Sequence, residues 1–236
     1  ISGSESAPRE IGNGIFLVRL HKNGHTDWMR TLAGSIENKA SRITAVGEDF
    51  LLGGICSGTV NSDKSSFTGN GSALFISLWN EKGKTTWFSR LPFTGYATLD
   101  VLETAQQGKI LAGGMFQGVM KDGGIDLNSP DERRAYIITL SADGKPENVL
   151  FSTGKGSHRL VSATIEPDGN RLLLFSITGD FGFGSIPAVE TPKNMENGLA
   201  LVKTTPSGEP AWIKLFPGRG YFEGIKILSL QTGDAF

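Results

Sequence analysis

The chain has 236 residues, of which 38% are hydrophobic and 20% are charged, and its formal net charge is −1. This composition is typical of a globular protein with a full core, and the near-zero charge gives no general attraction for nucleic acid or an anionic membrane. No apolar run approaches the roughly 20 residues of a membrane-spanning helix. We therefore predict neither a nucleic-acid partner nor insertion into a membrane.

The predicted elements are short β-strands along the whole chain. An incomplete first unit offers strands at 14–20 and 27–35, joined by a turn at 22–24. Each later unit offers four strands: 42–46, 50–56, 73–79 and 85–91, then 98–104, 109–116, 135–140 and 147–153, then 160–166, 171–177, 198–204 and 211–216. β-Branched and aromatic residues dominate, and no run sustains a helical period of 3.6 residues.

The units repeat about every 60 residues. Glycines recur in equivalent turns at spacings of 59, 61 and 64, namely at Gly24, Gly83, Gly144 and Gly208. Three of these are followed four residues later by a tryptophan: Trp28, Trp87 and Trp212. A second series has spacings of 55, 60 and 61 and comprises Gly3, Gly58, Gly118 and Gly179. Self-similarity at a fixed period indicates an array of one supersecondary unit.

Four antiparallel strands per unit predict an all-β fold: a β-propeller of four-stranded antiparallel blades, with strand one innermost and the tryptophan-bearing strand outermost. Residues 1–236 then form a single propeller domain of three whole blades and two part-blades. Ile1–Gly3 matches the end of strand two, and Gly233–Phe236 matches its start. We expect a segment of a longer propeller, and the alternative is a closed four-bladed ring.

The links between strands differ in length. Strands one and two, and strands three and four, are joined by tight turns, whereas strands two and three are joined by long links at 58–72, 118–134 and 179–197. In an antiparallel blade, the long links and the connections between blades lie at the same end. We therefore predict that a ligand binds at this loop-rich face, because variable loops on a rigid scaffold are where binding sites usually lie.

The repeats resemble the SBBP-type bacterial β-propeller repeats, which combine an aromatic strand, an Asp/Asn-Gly turn, a tryptophan strand and a glycine-rich close. The residues that carry the resemblance are Phe16, Gly24, Trp28, Gly34, Gly53, Gly54 and Gly58, then Phe75, Gly83, Trp87, Gly113, Gly114 and Gly118. The following unit departs, with Asn148 in place of tryptophan and Phe175-Ser176 in place of the double glycine. The resemblance implies a secreted, periplasmic or cell-surface location and binding or structural roles such as adhesion, without one activity.

The connections between blades carry candidate ligand-binding residues. Matching positions hold Asn38, Tyr96, His158 and Tyr221, with Arg159 and Arg219 nearby. Aromatic and imidazole rings at the mouth of a central channel could stack on a sugar or peptide, and arginines could hold a carboxylate. The alternative is that each side chain packs against the next blade and closes its own loop. The expected partner is a protein or a glycan.

An acidic stretch offers a weak candidate calcium site. It contains Asp122, Asp126, Asn128 and Asp131, and hard oxygen donors of this kind can bind Ca²⁺. The spacing of an EF-hand loop is absent, so the alternative is a solvated polar loop. We predict no other cofactor.

The leading functional prediction is a non-enzymatic binding or structural module. One alternative is a lyase or glycosidase at the loop-rich face, for which Asp100 and Glu223 are the nearest pair of carboxylates. Another is an assembly subunit whose edge strands pair with a neighbouring chain. No catalytic motif is present in the sequence, so no catalytic residue is predicted.

Overall fold

The computed structural model describes residues 14–34, 36–62, 65–191, 197–219 and 224–230. Within these ranges the chain consists of antiparallel β-strands, and its one helical element is a 3-10 turn at Gln106–Gly108. The predicted all-β class is confirmed. No described segment forms a helix that is long and apolar enough to cross a membrane. The matched ends, Ile1–Gly3 and Gly233–Phe236, lie outside the described residues.

Eighteen strands follow one another along the described residues. They are β1 Gly14–Leu20, β2 Thr26–Gly34, β3 Asn38–Val46, β4 Asp49–Ser57, β5 Val60–Ser62, β6 Ser65–Phe67, β7 Ser72–Trp79, β8 Thr85–Ala97, β9 Val101–Thr104, β10 Ile110–Asp122, β11 Ile125–Leu140, β12 Pro146–Thr153, β13 His158–Ile165, β14 Arg171–Ile177, β15 Phe181–Phe183, β16 Ile186–Val189, β17 Asn197–Thr204 and β18 Pro210–Gly218.

Three repeats each form an antiparallel meander in which strands pair in chain order. The meanders are β3-β4-β7-β8, β9-β10-β11-β12 and β13-β14-β17-β18, and β1-β2 is the outer pair of an earlier repeat. The turns between third and fourth strands place glycine at positive φ, as at Gly83 (φ 70°) and Gly144 (φ 79°). Glycine adopts this conformation without the steric cost of a Cβ atom, which is why the same residue recurs there.

The long links from strand two to strand three form β-hairpins, where the sequence predicted loops. Each hairpin pairs with the outer strand of the preceding repeat: β5-β6 with β2, the extensions of β10 and β11 with β8, and β15-β16 with β12. An outer strand left alone would expose a row of unpaired amide and carbonyl groups. The hairpins cover those edges and join neighbouring repeats through the backbone.

A cross-strand pair in each meander combines one large and one small residue. The pairs are Gly54 with Phe75, Gly114 with Tyr136, and Phe175 with Ala200. The two glycines allow a close approach of backbone from the neighbouring segment, because a Cβ would lie 2.0 Å from the carbonyl oxygen of Lys39 at Gly54 and 2.2 Å from that of Thr98 at Gly114. The register also corrects the match between repeats that was made from the sequence. Leu174 and Phe175, rather than Phe175 and Ser176, take the places of Gly53 and Gly54.

The first strands of successive repeats lie side by side. The Ser41 and Thr44 hydroxyls on β3 donate to the carbonyls of Leu99 (2.9 Å) and Leu102 (2.6 Å) in the next repeat. The hydroxyl of Ser162 on β13 accepts from the amide of Ile227 at 3.2 Å. A cavity of about 240 Å³ is lined jointly by β3, β9, β13 and residues 225–226. Residues from four successive repeats therefore line this one cavity.

The outer strands are joined to the next repeat by a contact that we call the turn latch. The Trp28 indole donates to the carbonyl of Glu81 at 2.8 Å, in the turn 80–84. The Trp87 indole donates to the carbonyl of Ala142 at 3.0 Å, in the turn 141–145. In both turns the ring lies against the Cα of the glycine, where an added Cβ would approach it within 3.0 Å. The recurring tryptophan therefore packs on the following repeat.

Candidate functional site

Two of the predicted binding residues, Tyr96 and Arg159, line one cavity of about 460 Å³. The cavity lies where β3, the end of β8 and the segment leading into β9 meet, and Lys39 and Asp100 contribute to its polar lining. We call this site the Asp100 cleft and define it by Lys39, Tyr96, Asp100 and Arg159. It combines residues from three consecutive repeats.

An ion pair between Asp100 and Arg159 holds the centre of the cleft. Arg159 donates through Nη2 to Oδ1 at 2.9 Å and through Nε to Oδ2 at 3.1 Å. The Asp100 carboxylate is nearly buried, with 9% of its side chain exposed, whereas the Arg159 guanidinium remains partly exposed. A two-point contact of this kind fixes the plane of a guanidinium. The guanidinium is thereby held in one orientation in the lining of the cleft.

Thr98 and Arg42 make further contacts with the Asp100 carboxylate. The Thr98 hydroxyl donates to Asp100 Oδ2 at 2.7 Å, and Arg42 of the preceding repeat lies 3.8 Å from Oδ1. The Thr98 carbonyl accepts from the Tyr136 hydroxyl at 2.7 Å. Burial, and secondarily the charge of Asp100, raises the pKa of Tyr136 well above its usual value, so the phenol keeps the proton that it donates.

Tyr96 supplies an exposed aromatic surface in the cleft, which Phe93 also lines. Tyr96 lies near the end of β8, opposite Gln117 of β10, and half of it (50%) is exposed. The register aligns the buried Ala97, rather than Tyr96, with Asn38 and His158 of the other repeats. Successive residues of a strand face opposite sides of the sheet. This one-residue offset therefore places the Tyr96 ring on the solvent-exposed side of β8, whereas Ala97 faces the core.

Asn38 packs against its own loop, which was the alternative to ligand binding. It begins β3 opposite Cys56, and its amide group occupies the space beside Gly34 where a Cβ would lie. The side chain therefore packs on its own loop. Its neighbours Glu37 and Lys39, rather than Asn38 itself, line the Asp100 cleft.

His158 lies in the core and does not face the cleft. It is fully buried, its Nδ1 is 2.9 Å from the Ser152 hydroxyl, and its ring meets Phe181 of the β15-β16 hairpin edge to face at 5.2 Å. Burial, together with the charge of Arg134, lowers its pKa to about 4. The hairpin that covers β12 thus also covers this imidazole, which was predicted to lie at a channel mouth.

His158 makes the fold sensitive to acid. Its pKa is lowered from 6.5 to about 4 on folding, so between these values the unfolded chain binds more protons and stability falls as the pH falls. We expect the free energy of unfolding to drop by about 2 kcal/mol between pH 7.5 and pH 4.5 through this residue. Urea titrations of the wild type and of His158→Gln measure it, and an equal drop in both proteins would contradict the assignment.

The last two predicted binding residues do not join the cleft in the described part of the chain. Arg219 follows β18 and is exposed to solvent. Tyr221 lies outside the described residues.

The acidic stretch is a β-hairpin rather than a loop. Asp122 ends β10, Asp126 and Asn128 lie on β11, and Lys121 pairs with Asp126 at 3.1 Å. Asp131 lies further along β11 and is exposed. Within the described ranges, no three or more His, Cys, Asp or Glu residues are grouped so that they could hold a metal ion. The candidate calcium ligands are thus spread along the exposed positions of a hairpin whose alternate residues are buried.

No protein-family model matches the chain, and no curated protein matches its sequence. What the molecule offers toward a function is therefore the chemistry of the Asp100 cleft and the contacts between its repeats.

Proposed function

We propose that the chain is a β-propeller-type binding module whose ligand enters the Asp100 cleft. The propeller arrangement is supported by the side-by-side first strands and by the cavity that four successive repeats line together. Regular meanders packed in chain order around a common space are typical of that architecture. A crystal structure in which the first strands diverge from one axis would contradict it.

The ligand that the cleft suits best is a glycan. The carrying observation is the pairing of a half-exposed tyrosine ring with an oriented guanidinium in one open cavity, beside Lys39, Glu37 and Ser41. Aromatic rings stack on the apolar faces of sugars, while charged and hydroxyl groups exchange hydrogen bonds with sugar hydroxyls. The cleft offers both kinds of contact within about 460 Å³.

A non-enzymatic role fits the carboxylates of the cleft better than hydrolysis does. Both oxygens of Asp100 already accept hydrogen bonds, from Arg159 and Thr98. A glycosidase needs two carboxyl groups free to act on either side of the scissile bond. Glu223, the other carboxylate considered from the sequence, lies outside the described residues.

We further propose a secreted, periplasmic or cell-surface location, in line with the SBBP-type resemblance of the glycine and tryptophan positions. Labelling intact bacterial cells with a membrane-impermeant reagent tests this location. Labelling only after lysis of both membranes would contradict it.

Binding is tested by calorimetric titration with cellohexaose, chitohexaose and an oligogalacturonate. We expect at least one of them to bind with a Kd below about 1 mM. Tyr96→Ala is expected to weaken that binding at least about tenfold, because it removes the stacking surface. Phe151→Ala is the matched control, since Phe151 is a similarly exposed aromatic residue on β12 that does not line the cleft.

Three results would overturn the proposal. They are binding of none of these sugars, equal losses in the Tyr96 and Phe151 variants, and shortening of a sugar during the titration. The last would favour the glycosidase alternative instead.

A further inference from the structure

The turn latch recurs along the chain with one variation. Trp28 covers the turn 80–84 and Trp87 covers the turn 141–145. At the third interface Asn148 takes the tryptophan position, and its amide lies against Gly208 of the turn 205–209. Each outer strand therefore contacts the glycine turn of the repeat that follows it. This interface has a fixed direction, from an outer strand to a later turn.

In the described fold, one latch tryptophan has no turn packed on it, and one latch turn has no tryptophan packed on it. Trp212 occupies the tryptophan position on β18 and is 40% exposed, in contrast to the nearly buried Trp28. At the other side, the turn 21–25 has the same hydrogen bonding as the covered turns, with Gly24 at φ 84°. No described atom lies within 4 Å of the place where a Cβ on Gly24 would be.

We propose that Trp212 of one molecule docks on the turn 21–25 of a second copy of this chain. The two open halves have the chemistry of the latches that the fold already contains. In the docked pair the Trp212 indole donates to the carbonyl of Lys22, as Trp28 does to that of Glu81. Its ring covers the Cα of Gly24. The second copy thereby continues the series of interfaces within one molecule.

Neighbouring side chains support this occupant. Arg30, two residues after Trp28, donates to the carbonyls of Gly83 and Lys82 in the covered turn. Lys214 holds the corresponding place after Trp212 and supplies a cation for the same carbonyls in the turn of the second copy. The exposed Phe216 extends the apolar surface along β18.

Contacts of this kind are heterologous, because two different surfaces meet. Such contacts propagate into chains of molecules unless the geometry closes a ring. This distinguishes the latch from an isologous dimer, in which both copies would use the same surface. It also differs from pairing of edge strands, because the contact is made by one indole and a turn.

The test is sedimentation velocity of the purified chain from about 1 µM to about 1 mM, the range in which small interfaces associate. The average mass is expected to rise with concentration. Trp212→Ala removes the ring, and Gly24→Asn places a side chain where the ring would lie. Asparagine tolerates the left-handed backbone of this turn. Each change is expected to weaken association at least about tenfold.

Two control variants match these changes. Gly124→Asn makes the same substitution in another open turn at positive φ, and Phe151→Ala removes another exposed aromatic ring. Both are expected to associate as the wild type does. Circular dichroism melts establish that all four variants are folded.

A mixture of the two latch variants gives the sharpest outcome. Trp212→Ala keeps the turn and Gly24→Asn keeps the tryptophan, so the mixture is expected to form dimers that cannot grow further. Growth beyond the dimer, wild-type association of either variant alone, or a monomeric wild type at every concentration would each overturn the proposal. If the protein is monomeric and Trp212 is still shielded from an aqueous fluorescence quencher, the turn 21–25 of the same molecule covers Trp212 instead.

Discussion

Replacing Trp87 with alanine is expected to lower the free energy of unfolding by about 3 kcal/mol. The change removes a large ring from the turn 141–145 and leaves the Ala142 carbonyl without the indole donor. Loss of a packed aromatic side chain costs about 3–5 kcal/mol in a core, and the partial exposure of Trp87 places it at the low end. Urea unfolding followed by circular dichroism measures the effect.

Trp212→Ala is the internal control for this prediction. Trp212 has the same place in its repeat, but no described turn covers it. At concentrations too low for association, its loss is expected to cost less than about 1 kcal/mol, as is usual for exposed positions. Equal losses in the two variants would mean that the latch contributes nothing beyond the strand itself.

The strands and tight turns of this fold could be predicted because their signals are local. Runs of β-branched and aromatic residues mark the strands, and glycines such as Gly83 and Gly144 mark the turns that need positive φ. The observed strands of the second repeat contain all four predicted runs. A period of about 60 residues then relates each repeat to the next.

The hairpins in the long links could not be predicted in the same way. β15 has three residues, too few to show an alternating pattern, and it pairs with the end of β12, about 30 residues earlier in the chain. Its strand structure depends on that distant edge rather than on its own sequence. His158 was misplaced for the same reason, because Phe181 on the unpredicted strand β15 packs against the imidazole.

The Asp100 cleft was predicted in part. Tyr96 and Arg159 were identified from their place in the connections between repeats, and the structure brings them to one cavity. The Asp100–Arg159 pair was missed, since its signal is a pair of opposite charges 59 residues apart, close to the repeat period. Charges that recur at the repeat spacing indicate contacts between neighbouring first strands in such an array.

The size of the residue at position 114 has the largest expected effect. Gly114 has extended backbone, so a side chain there brings no conformational strain of its own. A Cβ would, however, lie 2.2 Å from the carbonyl oxygen of Thr98. Thr98 is held in turn by Tyr136 and holds Asp100. We expect Gly114→Val to cost about 4 kcal/mol or more, because backbone rather than a flexible side chain must move.

The milder substitution Gly114→Ala separates the effect on stability from the effect on glycan binding at the cleft. It is expected to cost about 2–3 kcal/mol and, by displacing Thr98, to weaken glycan binding in protein that remains folded. Phe175→Ala is the matched comparison, since Phe175 has the equivalent register position, where it faces Ala200 and packs on Phe181 and Phe183. Its loss is expected to cost about 3–5 kcal/mol by leaving a cavity, with glycan affinity unchanged. Alanine is thus too large beside the Thr98 carbonyl and too small beside Phe181 and Phe183, and wild-type stability in either variant would contradict the packing described for that position.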